Sequence, residues 1–257
     1  MTIGELFSAL TSDTGVSVES GVRYTNHDKG KLDVYRPITI EEMRPIVLFL
    51  YGGGWVSGER SLYSFVGSAL AAKGITTVVP DYRLYPEVVF PAFVEDCAVA
   101  FGWVTDHLAQ AGRPVIVAGH SAGAHIAALL ALDPAYLNGP RPAGLVGLAG
   151  PYAFNPTTWP STKEIFGKVS SNPDGARPIA FASSSAPPAL LLHGAADSTV
   201  KAWNSVQLTE RLRALSRPVD LLTFPGVGHM GLVLSIARPF RWHAPTLRSI
   251  VEFVRKI

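Results

Sequence analysis

The sequence predicts an α/β fold in which a mostly parallel sheet of about eight strands carries helices on both faces. Short apolar runs alternate with segments of helical composition along most of the 257 residues. The later runs are short and wholly apolar, which is typical of parallel strands buried on both faces. A chain of this length can form one large domain with a full core, so we expect a single domain over residues 1–257.

The predicted elements follow one another in a regular order. Strands are expected at residues 16–24, 31–36, 46–51, 76–80, 115–119, 145–148, 189–193 and 219–224, and helices at 61–73, 93–110, 122–132, 201–215 and 245–256. The first two strands are more polar and close in sequence, which favours an antiparallel hairpin at the sheet edge. Residues 150–188, rich in Pro, Ser and aromatic side chains, are predicted to form a short cap-like insertion that covers a site.

Composition excludes several classes of protein. The net charge is +2 from 22 basic and 20 acidic residues with no basic run, so nucleic-acid binding has no electrostatic support. Cys97 is the single cysteine, which rules out an intrachain disulfide. No apolar stretch has the length of a membrane span. The first residues carry Glu5 and no Lys or Arg ahead of a hydrophobic segment, unlike a signal peptide. We therefore expect a cytoplasmic protein.

A glycine-flanked serine follows the strand predicted at 115–119. Gly119-His120-Ser121-Ala122-Gly123 stands between this strand and a helical segment, and G-x-S-x-G in that setting is the pattern of a nucleophile elbow. The turn is so tight that its flanking positions lie against neighbouring backbone, where only a hydrogen fits. An ordinary glycine turn that happens to carry a serine is the alternative, and the strand-to-helix setting favours the elbow.

Three consecutive glycines, Gly52 to Gly54, follow the strand predicted at 46–51. Each extra glycine costs conformational entropy on folding, so three in a row need a reason beyond one turn. They are expected where backbone N–H groups must point at one spot, as in an oxyanion hole. A flexible or tight-turn loop is the alternative.

A carboxylate and an imidazole follow two later strands. In an open α/β sheet the site lies at the carboxyl ends of the strands, and both Asp197 and His229 come just after a predicted strand. A serine hydroxyl is a poor nucleophile until an imidazole accepts its proton, and the imidazole needs a carboxylate to fix its tautomer. The order Ser, Asp, His suits this fold. His243 is the rival base, while Asp220 and Asp174 are poorer candidates for the acid.

Metal and cofactor chemistry find no support in the motifs. The chain has no H-E-x-x-H, no cysteine pair, and no G-x-G-x-x-G that opens a helix after a strand. We expect neither a bound metal nor a cofactor.

Several motifs that occur in order resemble the α/β-hydrolase superfamily, and most closely its small serine esterases and kynurenine-formamidase-like enzymes: YGGGW at 51–55, Asp81-Tyr82-Arg83-Leu84 with Pro86 and Phe90-Pro91, GHSAG at 119–123, LLLHGAAD at 190–197 and GVGH at 226–229. The resemblance implies Ser121 as the nucleophile with Asp197 and His229 as its partners. It also implies the N–H groups of Gly53, Gly54 and Ala122 as oxyanion donors. Tyr51 stands where the family usually has a histidine that braces the glycine loop.

The resemblance predicts a serine carboxylesterase that hydrolyses small, short-acyl esters through an acyl-enzyme. An arylformamidase and a carbohydrate acetyl esterase would use the same triad and remain open, and a non-catalytic binding protein of this fold is a third alternative. No long cap is evident, which favours short acyl groups. Aromatic side chains could line a compact pocket, and we name Trp55, Tyr152, Phe154 and Trp159. The expected partner is a small-molecule ester, with a homodimer as the open alternative to a monomer.

Overall fold

Eight strands form one sheet in the computed structural model, which describes residues 13–39 and 44–257. They are β1 (Val16–Arg23), β2 (Lys31–Pro37), β3 (Ile46–Leu50), β4 (Thr77–Pro80), β5 (Val115–His120), β6 (Gly144–Leu148), β7 (Ala189–Gly194) and β8 (Val219–Phe224). The order across the sheet is β1-β2-β4-β3-β5-β6-β7-β8. The β1–β2 and β2–β4 pairs are antiparallel, and all the other pairs are parallel. The predicted α/β fold is confirmed, with its antiparallel hairpin at one edge.

Within the described ranges, six α-helices pack around this sheet: α1 (Ser64–Ala71), α2 (Ala92–His107), α3 (Ala122–Leu132), α4 (Trp203–Ala214), α5 (His229–Leu234) and α6 (Thr246–Val254). Five of them lie where helices are predicted. The sixth, α5, is too short to show a helical period in the sequence, and it begins at a functional candidate, His229. None of the helices in the described ranges is long and apolar enough to cross a bilayer. The segment around Glu5, whose sequence is unlike a signal peptide, lies outside the described residues.

The centre of the sheet carries the core and fixes the position of Ser121. Strands β3, β5, β6 and β7 are buried at every position, and every residue of α3 is buried as well. Because both β5 and α3 are enclosed by other elements, the turn between them has little freedom to move. The residue at that turn is therefore held between two buried elements.

The strand β8 differs from the prediction of a buried apolar strand. Among the described strands it pairs only with β7, at the sheet edge, and Leu222 is 38% exposed. The sequence VDLLTF does carry the signal of such a half-covered strand, since Asp220 and Leu222 alternate outward along it.

The insertion at 150–188 contains three short 3-10 turns, at Gly167–Val169, Pro173–Ala176 and Pro178–Phe181. It is tied to the rest of the fold by hydrogen bonds. Arg177 donates twice to the carbonyl of Ala153, and His125 of α3 donates to the carbonyl of Ala176 at 2.7 Å. Phe166 is fully buried. The insertion is therefore anchored to the core through Phe166 and Ala176, while residues between 151 and 162 border the site.

Candidate active site

The turn at Ser121 has the geometry of a strained elbow. Ser121 has a φ of 55°, which is unusual for a residue with a side chain. A Cβ at Gly119 would lie 2.4 Å from the backbone of Gly123, and a Cβ at Gly123 would lie 2.1 Å from the carbonyl oxygen of Leu50. Only glycine fits at either position, as the sequence predicts. The elbow places the serine hydroxyl at the N-terminus of α3.

Three side chains from distant parts of the chain meet at this turn. The hydroxyl of Ser121 donates to Nε2 of His229 at 2.8 Å, and Nδ1 of His229 donates to Oδ2 of Asp197 at 2.7 Å. Asp197 follows β7, and His229 opens α5 after β8. Since these strands are parallel, their carboxyl ends meet at one edge of the sheet. The structure thus brings together the serine, the acid and the base named from the sequence.

Asp197 is held in its ionised form. Burial alone would raise the pKa of its carboxyl, but hydrogen bonds from His193, His229 and the N–H of Val200 outweigh burial and hold the pKa well below its usual range. Oδ1 accepts the N–H groups of Thr199 and Val200, both at 2.9 Å. The charged carboxylate therefore fixes His229 in the tautomer with hydrogen on Nδ1, and leaves Nε2 free to accept a proton.

His193 supports Asp197 and is not a rival of His229 for the role of the base. Its Nε2 donates to the carbonyl of Val200 at 2.8 Å and lies 3.5 Å from Oδ2 of Asp197, and the hydroxyl of Ser205 donates to its Nδ1 at 2.7 Å. Both ring nitrogens are occupied within the core. His193 is thus a buried residue that supports the Asp197 loop.

The rival candidates lie elsewhere. His243 packs against Gly231 on α5 and beside Trp242. Asp220 is exposed on the edge strand β8, and Asp174 pairs with an arginine of the insertion. In the described ranges, no group of three or more His, Cys, Asp or Glu side chains could hold a metal ion.

The glycine loop beside Ser121 leaves backbone donors free. Gly53 has a φ of 138°, and a Cβ there would lie 1.9 Å from the carbonyl oxygen of Ser57. Within the described part of the chain, the N–H groups of Gly53, Gly54 and Ala122 donate to no protein acceptor. Backbone donors are rarely left unpaired in a fold unless water or a ligand serves them. Three free donors beside a serine hydroxyl are suited to bind a developing oxyanion.

Tyr51 directly precedes the glycine loop and anchors it in the core. Its ring is fully buried and stacks on Tyr82 with a centroid distance of 4.3 Å. The hydroxyl of Tyr82 donates to the carbonyl of Tyr51 at 2.7 Å. Tyr51, stacked on Tyr82, therefore occupies the position at which the family usually places its bracing histidine.

Sequence reasoning missed a second set of buried polar contacts. The hydroxyl of Tyr63 hydrogen-bonds to Nδ1 of His120 at 3.0 Å and accepts the N–H of Gly52 at 3.1 Å. Tyr63 lies just ahead of α1 and nothing in its local sequence marks it. His120 occupies the variable position before the serine in G-x-S-x-G, and the motif does not indicate what its side chain contacts.

Two cavities open on opposite sides of Ser121. The smaller cavity has a volume of about 300 Å³. It is bordered by residues that follow the glycines, by the start of the insertion and by residues just before and at the beginning of α4: Trp55, Val56, Phe154, Trp159, Val200 and Trp203. The larger, of about 650 Å³, lies between the glycine loop, the segment before α1 and α5: Leu62, Phe65, His229, Met230, Val233 and Leu234. The larger cavity has no counterpart in the sequence prediction.

The structure corrects one predicted pocket residue. Trp55, Phe154 and Trp159 border the smaller cavity, but Tyr152 does not. Tyr152 is fully buried beneath the backbone of Gly147 and Gly150, where a Cβ at either glycine would collide with its ring or hydroxyl. Both residues lie outside helices and strands, where no period sets the direction of a side chain, so composition alone could not separate Tyr152 from Phe154.

The chain is similar to known proteins in sequence and in fold. A family model described as the alpha/beta hydrolase fold matches residues 47–232. Esterase LipC of Mycobacterium tuberculosis is 30% identical over 92% of this chain and 64% of its own length. An isoprenylcysteine alpha-carbonyl methylesterase of Arabidopsis thaliana is 28% identical over 84% of this chain and 57% of its own. Esterase B of Lactobacillus Rhamnosis superposes with a TM-score of 0.81 at 20% identity, covering 98% of this chain and 89% of that one. The chain therefore spans about six-tenths of these two curated relatives.

Proposed function

Because this chain belongs to the α/β-hydrolase family, we propose that it is a serine carboxylesterase that works through an acyl-enzyme. The observation that carries the proposal is the continuous hydrogen-bond chain from Ser121 through His229 to Asp197, with distances of 2.8 and 2.7 Å. Esterase names among the relatives support the same activity.

In the first half of the reaction Ser121 Oγ attacks the ester carbonyl while Nε2 of His229 takes its proton. Asp197 stays ionised and stabilises the imidazolium that forms. The carbonyl oxygen becomes negative, and the free N–H groups of Gly53, Gly54 and Ala122 stabilise it. The tetrahedral intermediate then collapses: the carbon–oxygen bond to the alcohol breaks, and His229 returns the proton to the departing oxygen.

In the second half a water molecule takes the place of the alcohol. His229 removes a proton from it, and the resulting hydroxide attacks the acyl carbonyl. The second tetrahedral intermediate uses the same backbone donors. Its collapse breaks the bond to Ser121 Oγ, to which His229 gives the proton back, and the carboxylic acid leaves.

Short acyl groups suit the smaller cavity. Its volume of about 300 Å³ is at the low end for ligand pockets, and Trp55 and Phe154 wall it as a parallel pair with centroids 6.3 Å apart. Trp159 covers it from the insertion and is 57% exposed. We therefore propose acetyl to butyryl esters as preferred substrates, with kcat/KM falling beyond about six acyl carbons.

A methyl ester of a large apolar acid is the second candidate. The Arabidopsis thaliana relative is named for a methyl ester of isoprenylcysteine. The specific observation in favour is the larger cavity of about 650 Å³, whose far wall consists of aliphatic side chains, Val233 and Leu234 among them.

A substrate panel assayed on one preparation tests the activity. It contains p-nitrophenyl esters of increasing acyl length, a methyl ester of a long apolar acid, an aryl formamide and acetylated sugars. We expect p-nitrophenyl acetate and butyrate to be hydrolysed fastest, and the rate to disappear in the Ser121→Ala variant. No turnover of any ester by the wild-type protein would refute the esterase proposal, and formamide hydrolysis alone would establish the arylformamidase alternative.

A further inference from the structure

The geometry points to the larger cavity as the binding site of the leaving alcohol, so that the enzyme acts on esters that join a short acyl group to a bulky apolar alcohol. This inference rests on the proposed esterase activity. It divides the two sides of the ester between two cavities that differ about twofold in volume, about 300 Å³ against about 650 Å³.

The position of His229 indicates which cavity binds the alcohol and which binds the acyl group. Ser121 borders both cavities, but His229 borders only the larger one. During acylation the proton on Nε2 of His229 must reach the oxygen of the departing alcohol, so that oxygen has to lie within hydrogen-bond reach of the imidazole. The acyl group stays bonded to Ser121 Oγ and extends away from the alcohol at the tetrahedral carbon. The alcohol therefore lies on the side of His229 and the acyl group on the side of Trp55.

The walls of the larger cavity select an apolar alcohol. No Lys, Arg, Asp or Glu borders it among the described residues. Val233 and Phe65 are buried there, whereas Leu62 and Met230 are 46% and 51% exposed at its mouth. A carbon chain can thus lie along aliphatic side chains and continue toward solvent. Each methylene that it buries is expected to raise kcat/KM roughly two- to fourfold.

The smaller cavity differs from the larger one in that a charged side chain borders it. Ser161, Thr162 and Lys201 border it together with the aromatic side chains, and Asn204 closes it from α4. The side-chain oxygen of Asn204 accepts the N–H groups of Ala153 and Phe154 at 3.0 and 3.1 Å, so this wall is fixed to the insertion. A rigid, partly polar wall does not widen for a long apolar acyl chain.

Two isomeric esters test the assignment directly. Heptyl acetate and methyl octanoate have the same atoms and the same carbon count, but the long chain lies on opposite sides of the carboxyl group. We expect kcat/KM for heptyl acetate to exceed that for methyl octanoate by at least about tenfold, as several buried methylenes require. A preference for methyl octanoate would overturn the inference and place the acyl group in the larger cavity.

Two matched variants then connect the preference to the cavities. Leu62 and Val56 are aliphatic residues with similar exposure, 46% and 50%, at the mouths of the larger and the smaller cavity. Leu62→Trp should lower kcat/KM for heptyl acetate about tenfold more than kcat/KM for ethyl butyrate. Val56→Trp should lower kcat/KM for ethyl butyrate more than kcat/KM for heptyl acetate. The reverse pattern, or equal losses in both variants, would refute the assignment.

Hydrolysis of p-nitrophenyl acetate separates this inference from the proposed function. If wild-type protein hydrolyses it but treats the two isomers alike, the esterase proposal stands and the alcohol site is wrong. If it hydrolyses no ester, both fail together.

Discussion

The imidazole of His120 lies against that of His229, with a centroid distance of 4.8 Å, and its Nε2 donates to the backbone carbonyl of His229 at 3.3 Å. A carbonyl only accepts, so the hydrogen of His120 is on Nε2 and Nδ1 is the acceptor. The hydroxyl of Tyr63 must then donate to Nδ1, which leaves its oxygen to accept the N–H of Gly52. One directed chain of hydrogen bonds thus joins the glycine loop to the base.

Removing the Tyr63 hydroxyl from this chain of hydrogen bonds should reduce stabilisation of the transition state more than it reduces substrate binding. We expect Tyr63→Phe to lower kcat about two- to tenfold, the value of one neutral hydrogen bond, with KM unchanged. Affinity for a trifluoromethyl ketone inhibitor, which mimics the tetrahedral intermediate, should fall by the same factor. Tyr136→Phe is the control, because this half-buried tyrosine lies beyond α3. Equal changes in both variants would show that Tyr63 acts only on general stability.

The triad residues act as a unit, so single substitutions should have large effects. Ser121→Ala and His229→Ala should each lower turnover of p-nitrophenyl acetate roughly 10⁴- to 10⁶-fold without changing the circular dichroism spectrum. Asp197→Asn should be somewhat milder. His243→Ala is the control and should retain activity. The base is misassigned if His243→Ala abolishes turnover and His229→Ala does not.

The oxyanion donors depend on the absence of a side chain at Gly53. The Cβ in Gly53→Ala would lie 1.9 Å from the carbonyl of Ser57, so the loop must move and its N–H groups with it. We expect kcat to fall about 10²- to 10³-fold with little change in KM. Gly139→Ala is a matched control, since Gly139 has a similar φ of 129° and open space around it. Equal losses in kcat and in substrate affinity would mean that the loop only shapes the pocket.

Two buried histidines should make the protein sensitive to acid. Burial lowers the pKa of His120 to about 3 and that of His125 to about 4. An unfolded histidine has a pKa of about 6.5, so below that pH the unfolded chain binds two protons that the folded chain excludes. The free energy of unfolding should therefore fall as pH decreases, by about 2.7 kcal/mol per pH unit once both unfolded histidines are protonated.

Replacing one of these histidines gives the control for this pH dependence. In His125→Gln the amide can still donate to the carbonyl of Ala176, but nothing titrates. We expect the free energy of unfolding, measured with urea, to depend less steeply on pH between pH 6 and 5. The decrease in slope should correspond to the binding of about one proton. A slope that stays the same in this variant would show that His125 binds a proton in the folded state.

The aromatic residues of the insertion show where sequence reasoning stops. Tyr152, Phe154, Trp159 and Phe166 lie in one irregular stretch of similar composition. Phe154 and Trp159 border the smaller cavity, whereas Tyr152 and Phe166 are fully buried. Without a helical or strand period, nothing in a sequence tells which way each ring points. The same holds for the larger cavity, whose walls come from segments around residues 62 and 233.

The sequence by itself determined the fold class, the elbow at Ser121, and the places of the glycines, the acid and the base along the chain. These features follow from local chemistry: a tight turn accepts only glycine, and parallel strands bring the residues that follow them to one edge. Only the tertiary structure decided that Tyr63 and His120 join the glycine loop to His229. It also decided that His229 borders the larger cavity and not the smaller one. The physical reason is that such contacts join residues more than fifty positions apart, and packing of the whole core sets their directions.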